Sequence, residues 1–215
     1  MEATKTANND ALKDNNRVHL IGEIKTNPEF NHEVYGEGFY LINLAVKRQS
    51  ETIDTIPLMV SDRLINVDED LIGCIVEVKG QFRSYNKHEE TKNRLILSVF
   101  TTEFRFLGED ETYEDINRIT LDGFICKEPV YRTTPLGREI CDMLIAVNRP
   151  YGKSDYIPAI CWGRNAKFAS GLNVGEHVSI TGRIQSRIYQ KKIDETHTEN
   201  KTAYEVSLSK IEQLD

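Results

Sequence analysis

The chain has 215 residues, of which 39% are hydrophobic and 28% are charged, and its formal net charge is −7 at pH 7. That balance is typical of a globular protein and excludes a chain that is mainly disordered. The longest apolar runs, such as residues 143–147, are far shorter than the about 20 residues that a transmembrane helix needs, and the net negative charge argues against coating of duplex DNA by bulk charge alone.

The sequence repeats itself once. Matching residues lie 101 positions apart in the first part of the repeat, then 102 apart, and 107 apart near the end. Examples are Asn16 with Asn117, Gly22 with Gly123, Gly80 with Gly182, and Val99 with Val206. The chain is therefore interpreted as a tandem duplication of a domain of roughly 95 residues, with a longer loop in the second copy at residues 189–201.

Charge and repeat together predict the domain boundaries. Residues 1–15 are polar and are expected to form a flexible tail. The first, divergent domain spans residues 16–108 and the second spans residues 117–215. Between them, residues 109–116 contain five acidic side chains and are expected to form a solvated linker.

Taken in chain order, each copy shows the same succession of elements. The first strand alternates apolar and polar residues around Val18 in copy one and around Ile119 in copy two. A short helix is expected after the third strand, at residues 62–67 in copy one and 164–172 in copy two. The other strands are expected at 42–46 and 143–147, at 55–61 and 156–162, at 76–83 and 178–184, and around Val99 and Val206.

Five strands with one short helix after the third is the order of elements in the OB-fold, a five-stranded Greek-key barrel. The predicted fold class is therefore all-β, with two tandem OB-fold barrels and one short helix in each. The alternation by itself also fits another kind of small barrel or a sandwich.

The third strand of copy two carries aromatic side chains on the face that points away from its predicted core. Residues two apart share a face, so Ile157, Ala159 and Cys161 point to the core while Tyr156 and Trp162 lie on the opposite side. One interpretation of this second face is another apolar layer or an interface between the domains. The other is an exposed platform for stacking.

Cationic residues surround these aromatics. The further candidate binding residues are the loop residues Arg149, Tyr151 and Lys153, the helix residue Arg164, the fourth-strand residues Arg183, Arg187 and Tyr189, the hairpin residues Lys191 and Lys192, and in copy one Arg83 and Tyr85. Aromatics interleaved with cations suit single-stranded nucleic acid, whose unpaired bases stack and whose phosphates need positive charge. For the arginines alone, a solvated strand face is the alternative explanation.

The two copies differ in charge. Residues 117–215 contain 14 lysines and arginines against 12 acidic residues, a net charge of +2, whereas residues 16–108 contain 11 against 14, a net charge of −3. Copy one also has no counterpart of Trp162. Copy two is therefore expected to provide most of the binding affinity, and Tyr85 is expected to contribute less than Trp162.

Four stretches of copy two resemble bacterial single-stranded DNA-binding proteins: residues 117–123, 137–151, 155–164 and 174–183. In that family, aromatic residues stack on bases after the second strand, at both ends of the third, and at the end of the fourth. By resemblance these places fall on Tyr151, Tyr156, Trp162 and Tyr189. Copy one resembles the family less, because its matching positions include Thr55, Ser61 and Lys87.

The resemblance implies a non-enzymatic protein that binds single-stranded DNA with little sequence preference in replication, recombination or repair. It also implies a homo-oligomer, most simply a dimer that presents four barrels, with replication or repair proteins as further partners. A separate expectation from the residues is that Met59 and Ile160 are exposed and favour this self-association.

The sequence contains no motif for catalysis, metal binding or a cofactor. The five histidines show no HExxH spacing, and the four cysteines form no CxxC pair and are expected to be reduced thiols of a cytoplasmic protein. No enzyme activity and no cofactor are therefore expected. Two alternative functions stay open: a primosome-like or scaffold protein whose barrels mainly bind proteins, and an RNA-binding OB protein.

Overall fold

The computed structural model describes residues 15–89, 92–192 and 198–215, without the side chains of residues 87–94, 191 and 192. The first half of the chain forms six strands: β1 (Asn16–Ile24), β2 (Glu29–Val34), β3 (Glu37–Lys47), β4 (Ile53–Ser61), β5 (Ile75–Glu89) and β6 (Lys92–Phe106). β2, which the period-2 pattern did not predict, forms a hairpin with β3.

The second half repeats this order. Its strands are β7 (Ile116–Ile125), β8 (Val130–Thr133), β9 (Glu139–Asn148), β10 (Ser154–Trp162), β11 (His177–Lys192) and β12 (Thr198–Gln213). A 3₁₀ turn at Pro150–Gly152 precedes β10, and the helix α1 (Arg164–Ala169) follows it.

Each half closes into a barrel of OB type. β1 pairs with β5 along most of its length and with β3 at its end, and β7 pairs in the same way with β11 and β9. The third and fifth strands of each predicted barrel run parallel, as β4 with β6 and β10 with β12. The alternating residues that the sequence assigned to the core, such as Leu20, Leu44 and Ile145, are buried.

The two barrels share one sheet, because β1 and β7 pair antiparallel along residues 16–21 and 116–121. In this register Val18 lies opposite Ile119, which is its own counterpart in the repeat. An antiparallel pair in which a residue meets its own counterpart has a two-fold axis through that pair, as in a symmetric dimer. The two copies are therefore related by an approximate two-fold axis at the β1–β7 pair.

The helix expected in copy one at residues 62–67 does not form, and residues 62–64 make a turn instead. β-Branched Ile65 and Val67 lower the helix propensity of this segment, and the side chain of Asn66 accepts the backbone N–H of Asp68 at 3.3 Å. In copy two, α1 is rich in alanine and buries Ala166 and Ala169 against the barrel. Among the described residues, no helix is long and apolar enough to cross a membrane.

Candidate nucleic-acid interface

Tyr156 and Trp162 lie at the two ends of the outer face of β10. The Tyr156 residue is 43% exposed and Trp162 is 38% exposed, whereas the alternate residues between them point into the core. The indole Nε1 of Trp162 donates a hydrogen bond to Ser207 Oγ at 3.3 Å, which holds the ring against β12. Both rings therefore have solvent-exposed surface, and neither belongs to a second buried layer.

Tyr151 lies in the 3₁₀ turn that leads into β10 and is almost fully exposed. Its φ of 65° is in the left-handed region, which a residue with a side chain rarely adopts. The backbone N–H of Arg149 donates to the carbonyl of Lys153 at 2.7 Å and closes the loop around it. Strained backbone of this kind is concentrated at binding sites, so the turn is a candidate part of the interface.

Three of the predicted cations have exposed side chains: Lys153, Arg164 and Arg187. Within the described ranges, none of the three side chains has an ion pair or hydrogen bond that would compete with a phosphate. Lys191 and Lys192 end β11, and the positions of their side chains lie outside the described residues.

The long hairpins β5–β6 and β11–β12 reach beyond their own barrels. β5 contacts β10 of the second barrel, and β11 contacts β4 of the first. We call these two crossings together the seam. At the first crossing, Ser84 Oγ accepts the backbone N–H of Tyr156 at 2.7 Å, and the backbone N–H of Ser84 donates to Asp155 Oδ1 at 2.7 Å.

The second crossing repeats the first with the roles of the copies exchanged. Ser186 Oγ accepts the backbone N–H of Thr55 at 3.2 Å, and the backbone N–H of Ser186 donates to Asp54 Oδ1 at 2.9 Å. Each barrel therefore supplies hydrogen-bond partners to the start of the other barrel's third strand. The sequence carries a signal for this arrangement, since Asp54 and Ser186 have repeat counterparts in Asp155 and Ser84.

Both seam carboxylates are buried beside an arginine. Arg48 binds Asp54 with two short bonds, Nε to Oδ2 at 2.6 Å and Nη2 to Oδ1 at 2.5 Å, and the hydrogen bond raises the pKa of Arg48. Arg149 Nε lies 3.0 Å from Asp155 Oδ2. Burial raises the pKa of Asp155, although the Ser84 N–H and the nearby arginines oppose that shift.

Arg149, Arg83 and Arg183 therefore lie close to the seam and are partly buried, and Arg83 and Arg149 also line a groove beside the β1–β7 pair. Burial lowers the pKa of Arg83, with a further contribution from the charge of Arg149. Burial also lowers the pKa of Arg183, with a further contribution from the charge of Arg48. The sequence pattern could not show this, because it identifies the face of a strand but not what the other barrel places against that face.

A groove of about 480 Å³ runs along the seam, and we call it the seam groove. Tyr85 and Tyr189 both line it, together with Pro57 and Met59 of the first barrel and Pro158 of the second. Tyr189 is expected from the sequence to act together with Tyr156 and Trp162. The structure places it in this groove, which residues of both barrels line.

The expectation that Met59 and Ile160 are exposed is wrong, because each residue is only 6% exposed. Met59 lines the seam groove, where the β11–β12 hairpin of the other barrel lies near it. Neither side chain can therefore supply an apolar surface for self-association.

The first barrel has an aromatic row that the sequence analysis missed. His32 stacks on Phe39 with ring centroids 5.0 Å apart, and Phe39 contacts Phe100 at 5.8 Å. The guanidinium of Arg83 lies 3.8 Å above the Phe100 ring. The row was missed because Phe100 is on the last strand, at a position where copy two has Ser207.

A second groove, of about 840 Å³, lies beside the β1–β7 pair. Arg17, Lys79 and Arg118 line it, and the Lys79 ammonium already pairs with Glu103 at 2.7 Å. None of these cations was a candidate from the sequence, since they are on the first and fourth strands and not near the aromatic residues.

Residues 116–214 match the family model described as "Single-strand binding protein family". The second barrel is therefore similar to the single-strand binding protein family. The matched range begins with β7 and includes β12, so it covers every element of that barrel. The residues of the family resemblance in the sequence all lie inside it.

Relatives within the family come from several bacteria. A single-stranded DNA-binding protein of Clostridium tetani is 34% identical over 84 residues, which are 36% of this chain and 58% of the relative. Single-stranded DNA-binding protein 1 of Staphylococcus aureus is 33% identical over 84 residues, which are 36% of this chain and 50% of the relative. The chain thus spans about half the length of the relatives it matches.

The fold of the whole chain resembles that of a solved single-strand binding protein. The wild-type single-stranded DNA binding protein from Thermus aquaticus superimposes with a TM-score of 0.68 at 18% identity, covering 93% of this chain and 93% of that chain. At this identity the likeness shows the fold alone. Since the match extends over nearly all of both chains, it supports the two-barrel architecture.

Proposed function

We propose that the protein binds single-stranded DNA without catalysis and with little sequence preference, in replication, recombination or repair. The observation that carries the proposal is the pair of exposed rings, Tyr156 and Trp162, on the outer face of a barrel that is similar to the single-strand binding protein family. Stacking on an aromatic ring contributes about 1–3 kcal/mol per base and accepts any base, because every base has a flat face.

The electrostatics of the interface support the same function. Lys153, Arg164 and Arg187 are exposed, and none of the three has an ion-pair partner among the described residues. They are therefore available to the phosphates of a single strand whose bases stack on the aromatic rings. Arg149, Arg183 and Arg83 act less directly, since each is partly buried at the seam.

We also propose the domain division that the repeat predicts. The first barrel comprises residues 16–108 and the second comprises residues 117–215, with the acidic segment 109–116 between them. The first described strand begins at Asn16 and the second barrel begins at Ile116, which supports this division to within one residue.

The proposed function is tested by titrating fluorescent oligonucleotides of the same length into the protein: oligo-dT, the matching RNA and a DNA duplex. We expect the tightest binding to oligo-dT, and a weaker affinity as salt rises because phosphate contacts release counterions. Affinity for duplex equal to that for oligo-dT would overturn the proposal. Tighter binding of RNA would favour an RNA-binding barrel, and no binding of any oligonucleotide would favour a scaffold that binds proteins.

A further inference from the structure

Residues of both barrels line the seam groove, and β10 contributes Pro158 to it. Leu41, Pro57 and Met59 line it from the first barrel, and Pro158 and Tyr204 line it from the second. Its volume of about 480 Å³ lies in the range of pockets that hold small organic ligands. Because its walls come from both copies, the groove exists only while the barrels are packed together at the seam.

Two tyrosines from opposite hairpins line this groove. Tyr85 of β5 is 44% exposed and Tyr189 of β11 is 38% exposed. Within the described part of the chain, neither ring takes part in an aromatic pair, and neither hydroxyl has a hydrogen-bond partner. Both rings therefore have open faces on which a planar ligand can stack.

The seam hydrogen bonds join the groove to the stacking face of β10. Ser84, which precedes Tyr85 in the chain, binds the backbone N–H of Tyr156 through its hydroxyl and Asp155 through its own N–H. Pro158, two residues beyond Tyr156 on the same face of β10, lines the groove. A DNA strand with a base stacked on Tyr156 therefore passes next to the groove.

Charge near the groove also favours a nucleic-acid strand as the occupant. Arg187 is two residues before Tyr189 on β11, is exposed, and has no ion-pair partner among the described residues. The Lys201 ammonium lines the groove but already pairs with Glu199 at 3.0 Å. Among the described side chains, Arg187 is therefore a cation available for a phosphate beside a base that occupies the groove.

We propose that the seam groove is a base-binding subsite shared by the two barrels, in which an unpaired base stacks on Tyr85 and Tyr189 as the strand crosses from one barrel to the other. This rests on the proposed binding of single-stranded DNA. It gives the first barrel a direct part in binding, whereas the sequence assigns most of the affinity to the second.

The first test measures the affinity of oligo-dT of about 30 nucleotides, a length that spans two OB folds. Tyr85→Ala should weaken binding about tenfold, the loss expected for one stacked base, and Tyr85→Phe should bind like the wild type because it keeps the ring. Tyr113→Ala is the matched control, since Tyr113 is 45% exposed and lies in the segment between the two barrels. Equal affinities of Tyr85→Ala and Tyr113→Ala would overturn the proposal.

The second test reports on the groove itself and does not depend on a loss of affinity. The chain has one tryptophan, so Trp162→Phe combined with Tyr85→Trp places the only indole in the groove. Quenching of its emission by oligo-dT, at the concentration at which the oligonucleotide binds, supports the subsite. Binding without a change in emission overturns it while leaving the proposed function intact.

The two proposals fail in different ways. If the wild type does not bind oligo-dT at all, the proposed function is wrong and the subsite falls with it. If the wild type binds and Trp162→Ala weakens the binding while the variants at Tyr85 behave like Tyr113→Ala, only the subsite is wrong. Thermal unfolding of each variant shows whether it is folded, and the Tyr85→Phe and Tyr85→Trp variants keep a ring in the groove.

Discussion

The two barrels place an aromatic ring at the same spot on their outer faces, but on different strands. In the second barrel Trp162 of β10 lies beside Ser207 of β12, and in the first barrel the matching residues are Ser61 of β4 and Phe100 of β6. The two rings differ in their surroundings, since the guanidinium of Arg83 lies over Phe100 while Trp162 keeps an open surface. At the residue scale, the second barrel therefore has the more accessible stacking position.

We expect Trp162→Ala to weaken binding of oligo-dT by about 1–3 kcal/mol, because it removes the stacking surface for one base. The variant should unfold at nearly the same temperature as the wild type, since Trp162 is 38% exposed and its loss leaves no closed cavity. Affinity comes from oligonucleotide titration and stability from thermal unfolding. In the wild type, DNA should also quench the emission of this single tryptophan.

Two results for Trp162→Ala would contradict this prediction. A Trp162→Ala variant that unfolds would mean that the indole holds the barrel together through its contact with β12. A variant with the affinity of the wild type would remove Trp162 from the interface. Ser61→Ala at the matching position of the first barrel is the control, and it should leave the affinity of the protein for oligo-dT unchanged.

At the scale of elements, the strand pairing of each long hairpin is interrupted by a bulge. β11 has an irregular register between Thr181 and Gly182, and β5 has one between Lys79 and Gly80. A bulge bends a strand and increases its twist. Beyond these points, Ser84 of β5 and Ser186 of β11 contact the other barrel. Each bulge therefore separates the part of the hairpin that closes its own barrel from the part that forms the seam.

We predict that Gly182→Ala destabilises the protein by about 1–3 kcal/mol, as expected for a side chain inserted where no space exists. A Cβ at Gly182 would lie 2.3 Å from the backbone oxygen of Ser207, which cannot move without breaking the β11–β12 ladder. The measurement is the free energy of unfolding in urea.

Gly171→Ala is the control, because its Cβ would lie at an ordinary contact distance of 3.5 Å from Phe168 O. We expect this substitution to change the free energy of unfolding much less. If Gly182→Ala and Gly171→Ala were equally stable, the close approach of β11 and β12 at the bulge would not be required for folding.

At the scale of the whole molecule, the two copies pack about an approximate two-fold axis, as two identical chains do in a symmetric dimer. Val18 meets its counterpart Ile119 at that axis, and the two seam crossings lie on either side of it. The contacts that join two barrels are thus already made within one chain. Any further assembly must use a different surface.

We predict that the chain forms a dimer in solution, which would present the four barrels that the family resemblance implies. Light scattering at micromolar concentration should then give twice the chain mass of 24.7 kDa. A mass equal to that of one chain would contradict the prediction.

The sequence by itself determined the repeat, the order and buried faces of the strands that it predicted, and the aromatic residues of β10. These features are local, because alternation along a strand is enough to separate the core side from the outer side. The same alternation identified Tyr156 and Trp162 as outward-facing. It failed at residues 62–67, where side-chain hydrogen bonds and β-branched residues compete with a helix.

Only the tertiary structure decided what lies against each outward face. Tyr85 and Tyr189 are 104 positions apart in the chain, yet they line one groove because the hairpin of each barrel reaches over the other. For the same reason Arg149 and Arg183 are partly buried at the seam while Arg187 stays exposed. Periodicity contains no information about how two barrels pack, since that depends on the β1–β7 pairing and on hydrogen bonds between residues far apart in sequence.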